Sequence, residues 1–275
     1  MKATGWCIDC LTGLADKTLK LSKCNDNNIF LNCRNTVNNL IKENKSPPDI
    51  ANKLLSYIKI TTGVYDPFDF FKEKELFLAK QVFAELAGIF PDSLEGTIQL
   101  SVLGNSLDFF ADSKKFFQIK NFNFTGDMDK IKNEIYTKEK DVLIFGDNIG
   151  DFIFDMPLVK FLKGLGKQVF YAVKEHPVQN DLSMPDVLKY EFLNLFDNII
   201  STGTDEVGIK RTSMEGKVKE LWEQKSLVIA KGMGNYETIS EYHGERPVIH
   251  IMKVKCPAVS QSVKCKEGTY IAKLY

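Results

Sequence analysis

Two textures divide the chain. From Lys17 to about Lys138, apolar residues recur at i, i+3, i+4 and i+7, the spacing of helices that bury one face. Between Glu73 and Phe90 that stripe runs through Leu76, Phe77, Val82, Phe83, Leu86 and Ala87. Ile29–Asn44, Asp49–Ile60 and Ser93–Phe110 carry the same period, and Pro47-Pro48, Asp66-Pro67 and Pro91-Asp92 punctuate them. From Asp141 short apolar runs alternate with helical stretches. Strands are predicted at Val142–Phe145, Val169–Val173, Asn198–Ser201, Leu227–Ala230, Val248–Met252 and Tyr270–Lys273. Helices are predicted at Phe152–Leu165, Ser183–Phe192, Ser213–Glu223 and Tyr236–Tyr242. Strands that alternate with helices imply crossover units, hence an α/β fold with a mainly parallel sheet covered on both faces. A helical domain is expected over residues 1–138 and an α/β domain over 139–275.

Composition narrows the function classes. Lys plus Arg and Asp plus Glu cancel at 36 each, so no global field recruits nucleic acid or an acidic membrane. The apolar runs all fall short of the roughly 18 residues that span a bilayer. Met1–Leu11 lacks the basic start and apolar stretch of a secretory signal, so a cytoplasmic protein is expected. There the six cysteines are expected as thiols rather than disulfides. Cys7-x-x-Cys10 supplies only two of the four ligands of a zinc site, and Cys33 and a histidine would have to complete it. Partly buried bystander thiols are the simpler expectation.

In an open parallel sheet, ligands bind beyond the carboxyl ends of the strands. The first such end carries Gly146-Asp147-Asn148-Ile149-Gly150-Asp151, and the second carries Lys174 and Asn180-Asp181. The third carries Ser201-Thr202-Gly203-Thr204, able to hydrogen-bond an anion. The fourth carries Lys231-Gly232-Met233-Gly234-Asn235, a glycine-rich turn that opens a helix and offers N–H groups to a phosphate. Glu237 stands where a dinucleotide fingerprint needs its third glycine, and no Gly-Lys-Ser/Thr ending marks a nucleotide P-loop. Each acid or amide could simply cap a helix. Together, carboxylate and amide oxygens suit a hard divalent ion, and lysines with backbone N–H groups suit phosphate.

These strings resemble the metal-dependent damage-control phosphatases, long grouped as a domain of unknown function and related to a protein once described as an acidic-residue methyltransferase. The resemblance rests on Gly146–Asp151, Lys174–Asp181, Ser201–Thr204 and Ala230–Glu237, with Gly104-Asn105-Ser106-Leu107-Asp108 and Lys255-Cys256-Pro257-Ala258-Val259 as further matches. The Cys7-x-x-Cys10 start is similar to the short prokaryotic-type branch. The resemblance implies a helical domain packed on a three-layer α/β/α Rossmann-like domain. It implies a metal at Asp147, Asn148 and Asp181, and Lys231 on the phosphate. It also implies hydrolysis of small phosphorylated metabolites with manganese, cobalt, nickel or magnesium. Asp151 stands where many relatives have Glu.

On this reading the metal polarises phosphoryl oxygens and orients water. Lys231 and the amides of Gly232, Gly234 and Asn235 stabilise the transferred charge, with Lys174, Ser201, Thr202 and Gly203 on the same rim. Asn105 and Asp108 reach the cleft from the helical half, where Asp108 either acts on the reacting oxygens or caps a helix, and His176 lines the pocket. The Asp-x-Asp-x-Thr run of aspartyl-phosphate enzymes is missing, because Asn148 and Ile149 follow Asp147. Two alternatives stand beside it: a non-catalytic nucleotide- or cofactor-binding protein, or a methyltransferase, on the same kind of sheet, and a metal-binding or redox partner built around the cysteines.

Overall fold

The fold was obtained as a computed structural model that describes residues 1–106, 122–137 and 140–275. Helices α1 (Cys7–Leu21), α2 (Asn27–Lys42) and α3 (Pro47–Thr62) come first, then α4 (Asp69–Leu86) and α5 (Leu94–Gly104). Strand β1 (Phe124–Gly126), helix α6 (Met128–Thr137), β2 (Val142–Phe145), α7 (Ile149–Gly164) and β3 (Val169–Val173) follow. The chain continues through α8 (Met184–Lys189), β4 (Ile199–Ser201), α9 (Gly216–Glu223), β5 (Leu227–Lys231) and α10 (Gly232–Ile239). It closes with β6 (Val248–Lys253), α11 (Pro257–Val263) and β7 (Tyr270–Leu274).

The strands form one sheet in the order β1-β7-β6-β5-β2-β3-β4. All neighbours are parallel except β6 and β7. Strand order turns back at β2, which pairs β3 on one side and β5 on the other. Side chains alternate across the pleat. Val142, Ile144, Val169, Tyr171, Leu227 and Ile229 enter one core, which Phe152 and Leu158 of α7 share with Ile98 and Val102 of α5. Leu143, Phe145, Ala172, Val228 and Ala230 enter the opposite one under Val218, Leu221 and Trp222 of α9. This is the expected α/β architecture, and strands buried on both faces explain why their sequences read as continuous apolar runs.

The helical half is less uniform than its period. Helices α1 to α3 enclose a core of their own around Ala15, Val37, Leu54 and Ile58. Helices α4 and α5 instead pack on α7 and share the sheet's core. Two elements escaped the period. Helix α1 begins at Cys7 rather than near Lys17, because its buried stripe alternates Leu11 with the small Cys7, Ala15 and Thr18 and so carries a weak apolar period. Strand β1, three residues long, is too short for an alternation signal and is set by pairing with β7. Phe77, within the apolar run of α4, is 65 % exposed because the stripe that docks is Leu76, Ala79, Val82 and Leu86. No described helix is long and apolar enough to cross a membrane.

Phe152 is wholly buried, stacked on Phe192 at 4.7 Å and edge-on to Tyr171 at 5.2 Å. Phe152→Ala is therefore expected to lower unfolding free energy by about 3–5 kcal/mol, and Phe77→Ala to change it by no more than about 0.5 kcal/mol. Urea titrations of both variants measure the contrast.

Candidate active site

The backbone gathers the candidate ligands before any side chain contributes. The segment after β3 doubles back onto the turn after β2. Leu182 N–H donates to the Asp147 carbonyl at 2.9 Å, and Ile149 N–H donates to that of Asn180 at 3.0 Å. Asn148 and Asp181 thereby form an antiparallel bridge. All three candidate ligands stand together at the carboxyl ends of β2 and β3, beside the reversal of strand order.

Capping does not account for these side chains. Asn148 is the N-cap residue of α7, yet its side chain makes no capping hydrogen bond. Helix α8 is capped by Ser183 in a reciprocal box with Asp186, which leaves Asp181 outside that duty. Asp147 and Asn148 are half-buried, and Asp181 is buried. Gly232, the first residue of α10, has φ +73°, and a Cβ built there would fall inside the Asp147 carboxylate. Only glycine lets the two come so close.

Beneath this rim lies a buried polar layer. Asn105, the C-cap of α5, donates to Asp147 Oδ2 at 2.7 Å and to Asp151 Oδ2 at 3.0 Å, and accepts from Lys253 N–H at 3.1 Å. The Lys231 ammonium donates to Asp155 Oδ1 at 2.5 Å and to the Ser101 carbonyl and hydroxyl at 2.9 Å each. Tyr171 donates to Asp155 Oδ2 at 2.7 Å. Glu75 of α4 accepts from Gly150 N–H at 3.1 Å and from Asn180 Nδ2 at 2.7 Å, so one carboxyl holds both ligand-bearing turns.

The acids crowd one another. Burial raises the Asp147 carboxyl above its ordinary range, opposed chiefly by Lys255. Burial pushes Asp181 up to about 7 against the pull of Lys174, and Asp151 up to about 8 against that of Lys231. One Asp151 oxygen is buried without a hydrogen-bond partner. Glu75 is raised well above the usual carboxylate range, and burial depresses Lys174. A cluster of partly shielded acids with two oxygen-bearing side chains free of capping fits a divalent ion with oxygen ligands.

The remaining expected residues divide. Lys174 lies beside Asp181 at 3.8 Å and donates to the Gly208 carbonyl at 2.6 Å. Asn235 ties α10 to the first turn, donating to the Gly146 carbonyl at 2.9 Å and the Lys231 carbonyl at 2.8 Å. Gly234 packs against Val207 and Gly208. The Ser201 hydroxyl donates to Glu175 and accepts from Gly203 N–H at 2.9 Å, while Thr202 N–H pairs with the Val173 carbonyl. That turn braces the Lys174 loop. Lys231, expected on the phosphate, is wholly buried with its three protons engaged inside the fold. His176 is exposed and hydrogen-bonds Tyr65 at 3.1 Å. Asp108 lies outside the described residues.

Sequence reasoning missed Glu75, Ser101, Asp155 and Lys255 in these roles. Lys255 follows β6, so the strand-end rule reaches it once that strand is included. It is half-buried, foremost among the cations acting on Asp147, and among the described residues no ion pair engages its ammonium. A second acid group, Asp66, Asp69 and Asp186, has the spacing of a metal site. The Lys72 ammonium already sits 2.9 Å from both Asp66 and Asp186, so a built-in cation serves there.

A family model described as the damage-control phosphatase ARMT1-like domain matches residues 4–271. A damage-control phosphatase of Pyrococcus horikoshii is 29% identical over 76% of this chain and 75% of its own length. Another, of Archaeoglobus fulgidus, is 24% identical over 100% of this chain and 99% of its own. The crystal structure of a DUF89 family protein from Pyrococcus horikoshii matches with a TM-score of 0.84 at 25% identity, covering 99% of this chain and 98% of that one.

The raised carboxyls fix a pH dependence. An unfolded Asp releases its proton near about pH 3.9, whereas folded Asp181 and Asp151 hold theirs to about 7 and 8. Between those values the folded state binds more protons, so its stability falls as pH rises and recovers as pH drops. Chelator-treated protein is expected to melt at a higher temperature at about pH 6 than at about pH 8.5. Asp181→Asn should flatten the trend. Calorimetry across that window tests both.

Proposed function

The chain belongs to the damage-control phosphatase ARMT1-like family, and on that premise we propose that it hydrolyses phosphomonoesters of small metabolites, sugar phosphates among them, with a divalent cation held by Asp147, Asn148 and Asp181. The observation that carries this reading is the release of Asn148 and Asp181 from capping while the backbone holds them beside Asp147. Manganese, cobalt, nickel or magnesium suits these oxygen donors, and such an ion supplies polarisation of the phosphoryl group and acidification of water.

The chain's own groups do the rest. Lys255 acts electrostatically on Asp147, forms no ion pair with any described residue, and is assigned to the phosphoryl oxygens, where its charge attracts what the carboxylates repel. The first N–H groups of α10, beside Asp147, add a positive helix end. Asn105 orients the Asp147 carboxyl through its 2.7 Å hydrogen bond. Lys174 offsets charge between Asp147 and Asp181. Lys231 is a positioning residue, since it holds Asp155 and Ser101 under the site rather than reaching the rim.

A panel of phosphometabolites assayed with several divalent ions tests the reading. Turnover should vanish with chelator and return with metal; full activity in rigorously metal-free protein would sink it. Asp147→Asn and Asp181→Asn should each lower turnover by about 10²-fold or more, and so should Lys255→Ala, which also weakens inhibition by inorganic phosphate. Lys231→Ala should instead cost about 3–5 kcal/mol of stability, because it strands a buried carboxylate. Normal phosphate inhibition in Lys255→Ala would return the phosphate to another group. Gly232→Ala should lose activity while keeping a native circular-dichroism spectrum.

A further inference from the structure

One helix of the outer layer grips two loops of the α/β layers. Asn52 of α3 takes both backbone groups of Val207: its Oδ1 accepts the N–H at 2.6 Å, and its Nδ2 donates to the carbonyl at 3.4 Å. Lys59 follows at i+7 on the same face of α3. Its ammonium donates to the Pro177 carbonyl at 2.5 Å and to Asp205 Oδ2 at 3.0 Å. Just beyond α3, the Tyr65 hydroxyl and His176 Nδ1 share a hydrogen bond of 3.1 Å. The Lys59 side chain is only 18 % exposed, whereas that of Asp205 is 49 % exposed. An ion pair so open to water holds little, so the Pro177 carbonyl is the firmer of the two anchors.

Both loops lead to Asp181. Its N–H donates to the Val178 carbonyl at 3.1 Å, so the turn that starts at Pro177 carries the carboxylate itself. Gly208, next to Val207, accepts from the Lys174 ammonium at 2.6 Å, and that ammonium lies 3.8 Å from Asp181. Glu175 N–H joins the loops by donating to the Thr204 carbonyl at 2.8 Å. Inside the turn, Gln179 has φ +46°. Side chains other than glycine rarely enter that left-handed region, and they stay there only where neighbours hold them. Lys59 holds the Pro177 end of the turn, and Glu75 holds the Asn180 end through Nδ2 at 2.7 Å.

We propose that Asn52 and Lys59 are positioning residues: from α3 they fix the turn of Asp181 and the loop that braces Lys174, and thereby set the affinity of the metal site. Neither belongs to the ligand set. Their effect passes through the backbone of Pro177–Asp181 and through the Gly208 carbonyl. The seating of the outer helices and the occupancy of the metal site are then one linked equilibrium, so each favours the other. This coupling rests on the assignment of the metal to Asp147, Asn148 and Asp181.

Manganese(II) is the probe, titrated into the full, chelator-stripped chain while electron paramagnetic resonance counts the free ion. Lys59→Met and Asn52→Ala should each weaken manganese binding about tenfold, the lower end of what supporting groups around a metal contribute. Lys59→Arg keeps the donors and should bind like the wild type. Adding Gln179→Gly to Lys59→Met should recover most of the loss, because glycine adopts the turn without being held. Val37→Ala, in the buried core of α1 to α3, should lower the melting temperature and leave the affinity unchanged. Wild-type affinity in Lys59→Met would overturn the proposal. So would an equal loss of affinity in Val37→Ala, which would make the effect one of stability alone. A wild type that binds no manganese would overturn both the proposal and the ligand assignment. Tight binding in the wild type and weak binding in Lys59→Met, with no turnover of any phosphometabolite, would remove the phosphatase reading and leave the positioning role standing.

Discussion

A single buried ammonium fastens the layers of this protein together. Lys231 leaves β5 on the face covered by α5 and α7, and meets Ser101 of one helix and Asp155 of the other. Tyr171 of β3 closes the same group from below. Asp151, one turn before Asp155 and 3.9 Å from the ammonium, adds a second acid. Remove the cation and the buried Asp155 carboxylate loses its counter-charge in a medium that penalises unpaired ions severely. The arrangement makes the sheet, the long helix and the preceding helical hairpin interdependent, and the reactive rim is built directly above it.

The rim depends on a division of labour. Free N–H groups at a helix start must be satisfied, and short polar residues nearby usually do so. Here Ser183 and Asp186 serve α8, and Glu75 reaches from α4 to the Gly150 N–H at the start of α7. Asn148 and Asp181 are thereby released from a task that their positions would ordinarily impose. The side chains at these two positions are thus left free by groups elsewhere in the fold.

Much of this was legible in the sequence, for physical reasons that also mark where it stops. Strand β2 occupies the four residues that its apolar run predicts, because a strand buried on both faces cannot hide polar side chains. The Asp147-Asn148 and Asn180-Asp181 pairs were found because parallel strands present their carboxyl ends on one side. What a linear string does not carry is side-chain direction. Lys231 stands at a strand end like a phosphate ligand, but the pleat turns it inward, whereas Lys255, beyond the following strand, is the foremost cation acting on Asp147. Glu75 and Ser101 belong to helices whose period shows only that they are near an apolar stripe, and their partners lie 75 and 130 positions away.

The bonds from Ser101 and Asn105 to the sheet layer also govern motion. Closure over a substrate needs an element that can move independently on the microsecond-to-millisecond scale. Helix α5 cannot be that element, because any swing would break the ammonium's contacts and uncover charge. Helices α1 to α3 share their core with little of the α/β layers beyond Val207, Cys256 and Ala258, and α3 reaches those layers through Asn52 to Val207 and Lys59 to Pro177 and Asp205. An opening that spares the buried ammonium would therefore have to use this outer layer, while the part that carries Asn105 stays tied to the sheet beneath the rim.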